Sequence, residues 1–186
     1  MISKARLWLF AAMALLQLAV PAGMILSRER TLAQGEAFKF RTAPVDPYDA
    51  FRGRYVSLRI ENAEAAWPQA KAPAYGQTVY ARIETGDDGF ARFGLASLSR
   101  PKGKPYLTVQ AGVANEKGGI NLQLPFDRFY MKETKAPAAE KAYREHNRRG
   151  AQDAYVVLRV RDGDGVIENL FVGGKPIAAV AAEAKP

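Results

Sequence analysis

The residues with the most chemistry in them fall in two short clusters. Asp46, Asp49, Arg52 and Arg54 set four charges just ahead of an alternating apolar stretch. An arginine fork there, Arg52 or Arg54, suits bidentate contact with a carboxylate or phosphate, which would make a recognition edge. The same residues also make a structural corner, with Asp49 accepting backbone N–H bonds and pairing with Arg52. Gly53, between the arginines, serves the backbone, by a positive φ or a bulge at the start of a strand. The second cluster is Asp127, Arg128, Tyr130 and Glu133. Alternation sets Arg128 and Tyr130 on one face and Asp127 and Phe129 on the other. A buried ion pair between Glu133 and either Arg52 or Arg128 would tie the two clusters together. Asp49 with Glu133 could work as a glycosidase-like carboxylate pair, but no spacing in the sequence brings them within the few ångströms that chemistry needs.

Other reactive combinations are thin. His146 is the one histidine and there is no cysteine, so a conventional zinc site lacks its ligands and a thiol nucleophile is excluded. A Ser-His-Asp triad could use only His146, and no serine sits in a nucleophile-elbow context. His146 better suits the end of a helix, where its charge would complement the dipole. The aspartates of Asp87-Asp88 and Asp162-Gly163-Asp164 could face calcium, yet neither stretch follows an EF-hand loop, and hairpin turns account for both. Arg100-Pro101-Lys102-Gly103-Lys104-Pro105 reads as a basic loop, either simply solvated or in contact with anionic headgroups. No cofactor and no metal site is expected.

The elements that would hold these groups begin with an apolar leader. Leu7–Leu26 carries no charge, with Lys4 and Arg6 ahead of it. Twenty residues at about 1.5 Å each give about 30 Å, the thickness of a bilayer core. A signal peptide would end near Val20-Pro21-Ala22, but the apolar run continues through Met24, Ile25 and Leu26, so an uncleaved anchor is expected. Trp8 lies where an interfacial aromatic would lie, and Pro21 is tolerable in a span. Basic residues flank both ends, so charge alone does not orient the helix; the signal-like shape points to a cytoplasmic N-terminus with the domain on the far side of the membrane.

Only Lys4 and Arg6 precede residue 27, which leaves 25 basic against 19 acidic residues beyond it. That surplus suits anionic surfaces, but without a basic helix or a stacking motif it does not read as nucleic-acid binding. Residues 27–41 read as a juxtamembrane connector, 42–178 as one β-rich domain and 179–186 as a flexible tail. Period-2 alternation runs through Tyr55–Ile60, Val79–Ile83, Phe90–Leu98, Leu107–Val113, Ile120–Phe126, Tyr155–Arg161 and Val166–Val172, with turns at Gly86–Gly89, Gly118-Gly119 and Asp162–Gly165. Helices are plausible over Glu61–Ala70, broken by Pro68, and better over Ala136–Arg149, with Pro137 in its first turn and Gly150 as a cap. The fold class is therefore mainly β: a single antiparallel domain, barrel or sandwich, with one short helix, behind an N-terminal transmembrane helix. Tyr55–Ile60 and Tyr155–Val160 share the pattern Y-V-x-L-R-[IV], which fits convergence on good strand residues better than duplication.

Gly53-Arg54-Tyr55-Val56-Ser57-Leu58-Arg59-Ile60 resembles the signature of the GDYXXLXY family of bacterial membrane-anchored proteins. Asp46-Pro47-Tyr48-Asp49-Ala50-Phe51-Arg52 resembles that family's approach to the motif, Phe126–Glu133 its R-[FY]-[FY]-x-x-E segment, and Gly165–Pro176 its last hairpin. The motif's aspartate is Arg54 here, and its last tyrosine is Ile60. The resemblance implies an integral-membrane protein as partner and implies no reaction. The sequence thus predicts a non-catalytic accessory or binding domain at the bacterial inner membrane, with Asp49, Arg52, Gly53, Arg54, Tyr55, Arg128, Tyr130 and Glu133 as its binding residues. An envelope hydrolase and a β domain with a lipid or small-ligand cavity are the alternatives.

Overall fold

A computed structural model describes residues 4–43, 55–115, 118–147 and 152–183. The apolar leader forms helix α1 (Lys4–Gln34), with Pro21 inside it. The helix does not stop where the apolar run stops. Ser27–Gln34 is rich in Arg, Glu, Leu, Ala and Gln, which lose little rotamer freedom in a helix, and it continues for two more turns. Gly35 then ends it: its N–H donates to the Thr31 carbonyl at 2.9 Å. A Cβ on Gly35 would collide with that carbonyl and lie 3.0 Å from the backbone nitrogen of Val160. Strand β1 (Glu36–Ala43) follows at once. The connector expected over 27–41 is therefore helix and strand. Phe38, Phe40 and Thr42 alternate into the core, and the interleaved Lys39 and Arg41 masked that period.

The short strands β2 (Tyr55–Ser57) and β3 (Arg59–Ile60) come next. The single strand expected over Tyr55–Ile60 is split because Leu58 turns its N–H to the Asp127 carbonyl, 3.0 Å away. Strand β4 (Glu64–Ala66) replaces the expected helix over Glu61–Ala70. Its alanines favour helix, but Ala65 and Trp67 are both buried, a period of two, and pairing overrides propensity.

The remaining barrel strands are β5 (Thr78–Thr85), β6 (Ala91–Ser97), β7 (Tyr106–Ala114) and β8 (Gly119–Gln123), and β4-β6-β5-β7-β8 close on themselves. All pairings in that barrel are antiparallel except β4 with β6. Strand β9 (Arg128–Tyr130) pairs with β2. Helix α2 (Ala136–His146) buries Ala136, Ala139 and Tyr143. Strands β10 (Tyr155–Arg161), β11 (Asp164–Val172) and β12 (Lys175–Pro176) complete a sheet ordered β12-β11-β10-β1-β3. Asp162 and Gly163, both at positive φ, make the two-residue turn between β10 and β11. Helix α3 (Ile177–Glu183) packs Ile177 and Ala181 inward where a flexible tail was expected; its alanines carry no visible stripe until α2 covers them.

The domain is thus a barrel fused to a sheet. Phe40 of β1 and Phe93 of β6 stack with centroids 5.1 Å apart across that seam. Full burial of a side chain such as Phe40 contributes about 2–3 kcal/mol. The two Y-V-x-L-R stretches occupy different places: β10 is central and continuous, whereas β2 and β3 are split between two sheets.

Candidate functional site

Pairing of β2 with β9 sets Tyr55 opposite Tyr130, Val56 opposite Phe129 and Ser57 opposite Arg128. Val56 is fully buried and Phe129 packs against the core, so the other face carries Tyr55, Arg128 and Tyr130 outward, as alternation requires. The rings of Tyr55 and Tyr130 meet edge to face at 5.6 Å. The Arg128 guanidinium lies 5.0 Å from the Tyr55 ring centre and 3.4 Å from the Asp127 carboxylate. A hydrogen bond with Tyr130, then the charge of the Asp127 carboxylate and the phenol group of Tyr55, raise the Arg128 pKa above its ordinary value. The guanidinium is a held, permanently charged fork rather than a wandering side chain.

Beside this cluster runs an open groove of about 410 Å³, lined by Arg28, Arg128 and Tyr130 and by the apolar Phe126, Phe129 and Ile167. Gly165 lies in its wall, and Arg28 Nη1 donates to the Gly165 carbonyl at 2.9 Å. A Cβ on Gly165 would press on the Phe126 ring at 2.6 Å, so the absence of a side chain lets the groove's floor close. The groove therefore joins three things distant in sequence: the C-terminal part of α1, the β9 cluster and the β10–β11 hairpin.

Of the residues expected to bind, Tyr55, Arg128 and Tyr130 come together. Asp49, Arg52, Gly53 and Arg54 lie outside the described residues. Glu133 is exposed, in the turn that leads into α2, where its carbonyl accepts the Ala136 N–H at 3.3 Å. Of the two arginines expected to pair with Glu133, Arg52 lies outside the described residues, and Arg128 meets the Asp127 carboxylate at 3.4 Å. His146 ends α2, its Nδ1 2.8 Å from the Asp153 carboxylate. Asp88 accepts the Phe90 N–H at 3.2 Å and meets Arg92 at 3.0 Å and Arg41 at 3.6 Å. Hairpin chemistry occupies that carboxylate. Among the described residues no three His, Asp or Glu side chains cluster as they would around a metal ion.

Sequence reasoning missed two features. Arg28 carried no signal beyond its position after the apolar run. Glu64 and Glu84 line a second cavity of about 420 Å³ together with Asn115, which donates to Glu64 at 3.0 Å. They come from β4 and β5, strands that the barrel separates, so no spacing could announce them.

No curated protein and no solved structure matches the chain. The family model described as GDYXXLXY protein matches residues 17–170, from the middle of α1 into β11. Tyr55 of the motif stands in the cluster with Arg128, and Leu58 is buried beneath it. By this match, over most of its length, the chain belongs to the GDYXXLXY family.

Proposed function

We propose that the chain is a single-pass membrane protein whose β domain, non-catalytic and periplasmic, binds and steadies an integral-membrane partner at the bacterial inner membrane. One observation carries this reading. Helix α1 is long and apolar enough to cross a membrane, and among the described residues none covers its apolar stretch. A core helix would be covered. Its face offers Ala19 and Gly23 one turn apart, with open space where a Gly23 side chain would be. Small residues at that spacing let a second helix approach closely in lipid.

Affinity capture of the chain from native membranes in mild detergent tests the reading. A reproducible membrane protein should be recovered with the wild type and lost with Gly23→Leu. Recovery of the chain alone at native expression would reject it. Glu64 and Glu84 give the alternative hydrolase a carboxylate pair to use. That alternative requires Glu84→Gln to abolish cell-level function without lowering the melting temperature.

A further inference from the structure

We propose that the groove between the outer end of α1 and strands β9 and β11 binds the phosphate of an anionic phospholipid from the adjoining leaflet, with Arg28 and Arg128 as its two forks. The proposal rests on the reading of α1 as a membrane span. Arg28 lies two residues beyond Leu26, the last apolar residue of the run, or about 3 Å further along the helix axis. That is headgroup level. One of its five N–H donors is used on the Gly165 carbonyl, which fixes the side chain against β11 and leaves the rest of the fork for another acceptor. Among the described residues no carboxylate pairs with Arg28.

Arg128 closes the groove from the other side. It is pre-set by the Tyr55 face and by Tyr130, so little freedom remains to be lost on binding. Two guanidinium groups over one groove complement a phosphate, which accepts in the planar, bidentate manner that arginine offers. The walls between them are Phe126, Phe129 and Ile167. A free anion has no use for them, whereas the glycerol and first acyl carbons of a lipid do. Tyr130, 66% exposed, stands at the rim as an amphipathic ring does at a membrane interface. Asp127, 3.4 Å from Arg128, is the charge that opposes an anion there.

Native mass spectrometry of the full chain released from detergent micelles, with added phosphatidylglycerol or phosphatidylcholine, tests this directly. The wild type should retain one phosphatidylglycerol in preference to phosphatidylcholine. Arg28→Gln and Arg128→Gln should each lower that retention about tenfold with unchanged melting temperature. Asp127→Asn should raise it about two- to fivefold, a gain that misfolding cannot produce. Millimolar inorganic phosphate should not displace the lipid. Retention at the wild-type level in either arginine variant, or displacement by inorganic phosphate, would overturn the proposal, the latter in favour of a soluble anion. A chain that stays out of micelles altogether would instead overturn the membrane-span reading, and this proposal with it.

Discussion

Arg159 grips Glu168 with both arms of its guanidinium, Nε at 2.8 Å and Nη2 at 3.0 Å, while its Nη1 donates to the Gly35 carbonyl at 3.2 Å. Glu168 is available because the β10–β11 pairing shifts register between Val157 and Leu158, which passes over Glu168. A bulge thus aims one carboxylate at the arginine that secures the end of α1. The bidentate bond raises the Arg159 pKa.

The first prediction concerns that clamp. Arg159→Met keeps the stem and removes the fork, so amide exchange at Gly35 and Thr31 should quicken while the barrel amides keep their protection. Arg159→Lys should restore only part of the difference, because an ammonium cannot span both Glu168 oxygens and Gly35. Uniform exchange in both variants would show that the junction does not depend on Arg159.

Gly35 itself should not accept a side chain. Gly35→Val places carbon into the Thr31 carbonyl and against Val160, both backbone groups that cannot rotate away. A cost of about 1–3 kcal/mol is expected in urea unfolding of the full chain in detergent. Gly23→Val, where nothing lies within reach, should leave the domain's unfolding midpoint unchanged.

The outer seam between sheet and barrel gives a third prediction. The Arg41 guanidinium sits 3.9 Å from the Phe90 ring centre, Phe90 meets Tyr155 edge to face at 5.6 Å, and Tyr155 stacks on Phe171 at 4.9 Å. Phe90→Leu keeps apolar bulk but removes the ring's charge distribution, so a loss of about 1–2 kcal/mol is expected, from one cation–π and one aromatic pair. Calorimetric midpoints of wild type and variant would check it.

Asp88 supplies a pH signature. The Phe90 N–H first, then Arg92 and Arg41, hold its carboxyl below the ordinary 3.8. A depressed folded-state pKa stabilises above the unfolded value and stops doing so as pH falls through the folded one. Wild type should therefore exceed Asp88→Asn in stability by a constant margin above about pH 5, and the margin should shrink below about pH 4. A margin that grows on acidification would contradict the assignment.

Some of this was legible and some was not, for identifiable reasons. Strand β10 could be read to the residue because Val156, Leu158 and Val160 alternate with polar neighbours, and α2 because Pro137 and the buried Ala139 and Tyr143 fit a helical face. Tyr55, Arg128 and Tyr130 were legible as candidates through the motif and the period of two. Their meeting with Arg28 was not, since only long-range pairing of β1 with β10 carries the end of α1 to β11. Strand β1 was hidden by Lys39 and Arg41, which look like a membrane-flanking basic stretch. Strand β4 was hidden by alanines whose local preference is helical, and α3 by a lack of large residues.

The passage from α1 to β1 through one glycine has a mechanical meaning. If α1 spans a bilayer as proposed, its clamp to the sheet it enters would pass any tilt or rotation of the helix to the β-sheet, and with it to the barrel, as one lever arm. On that reading the domain would not roam over the lipid surface on a tether; it would report the pose of its helix.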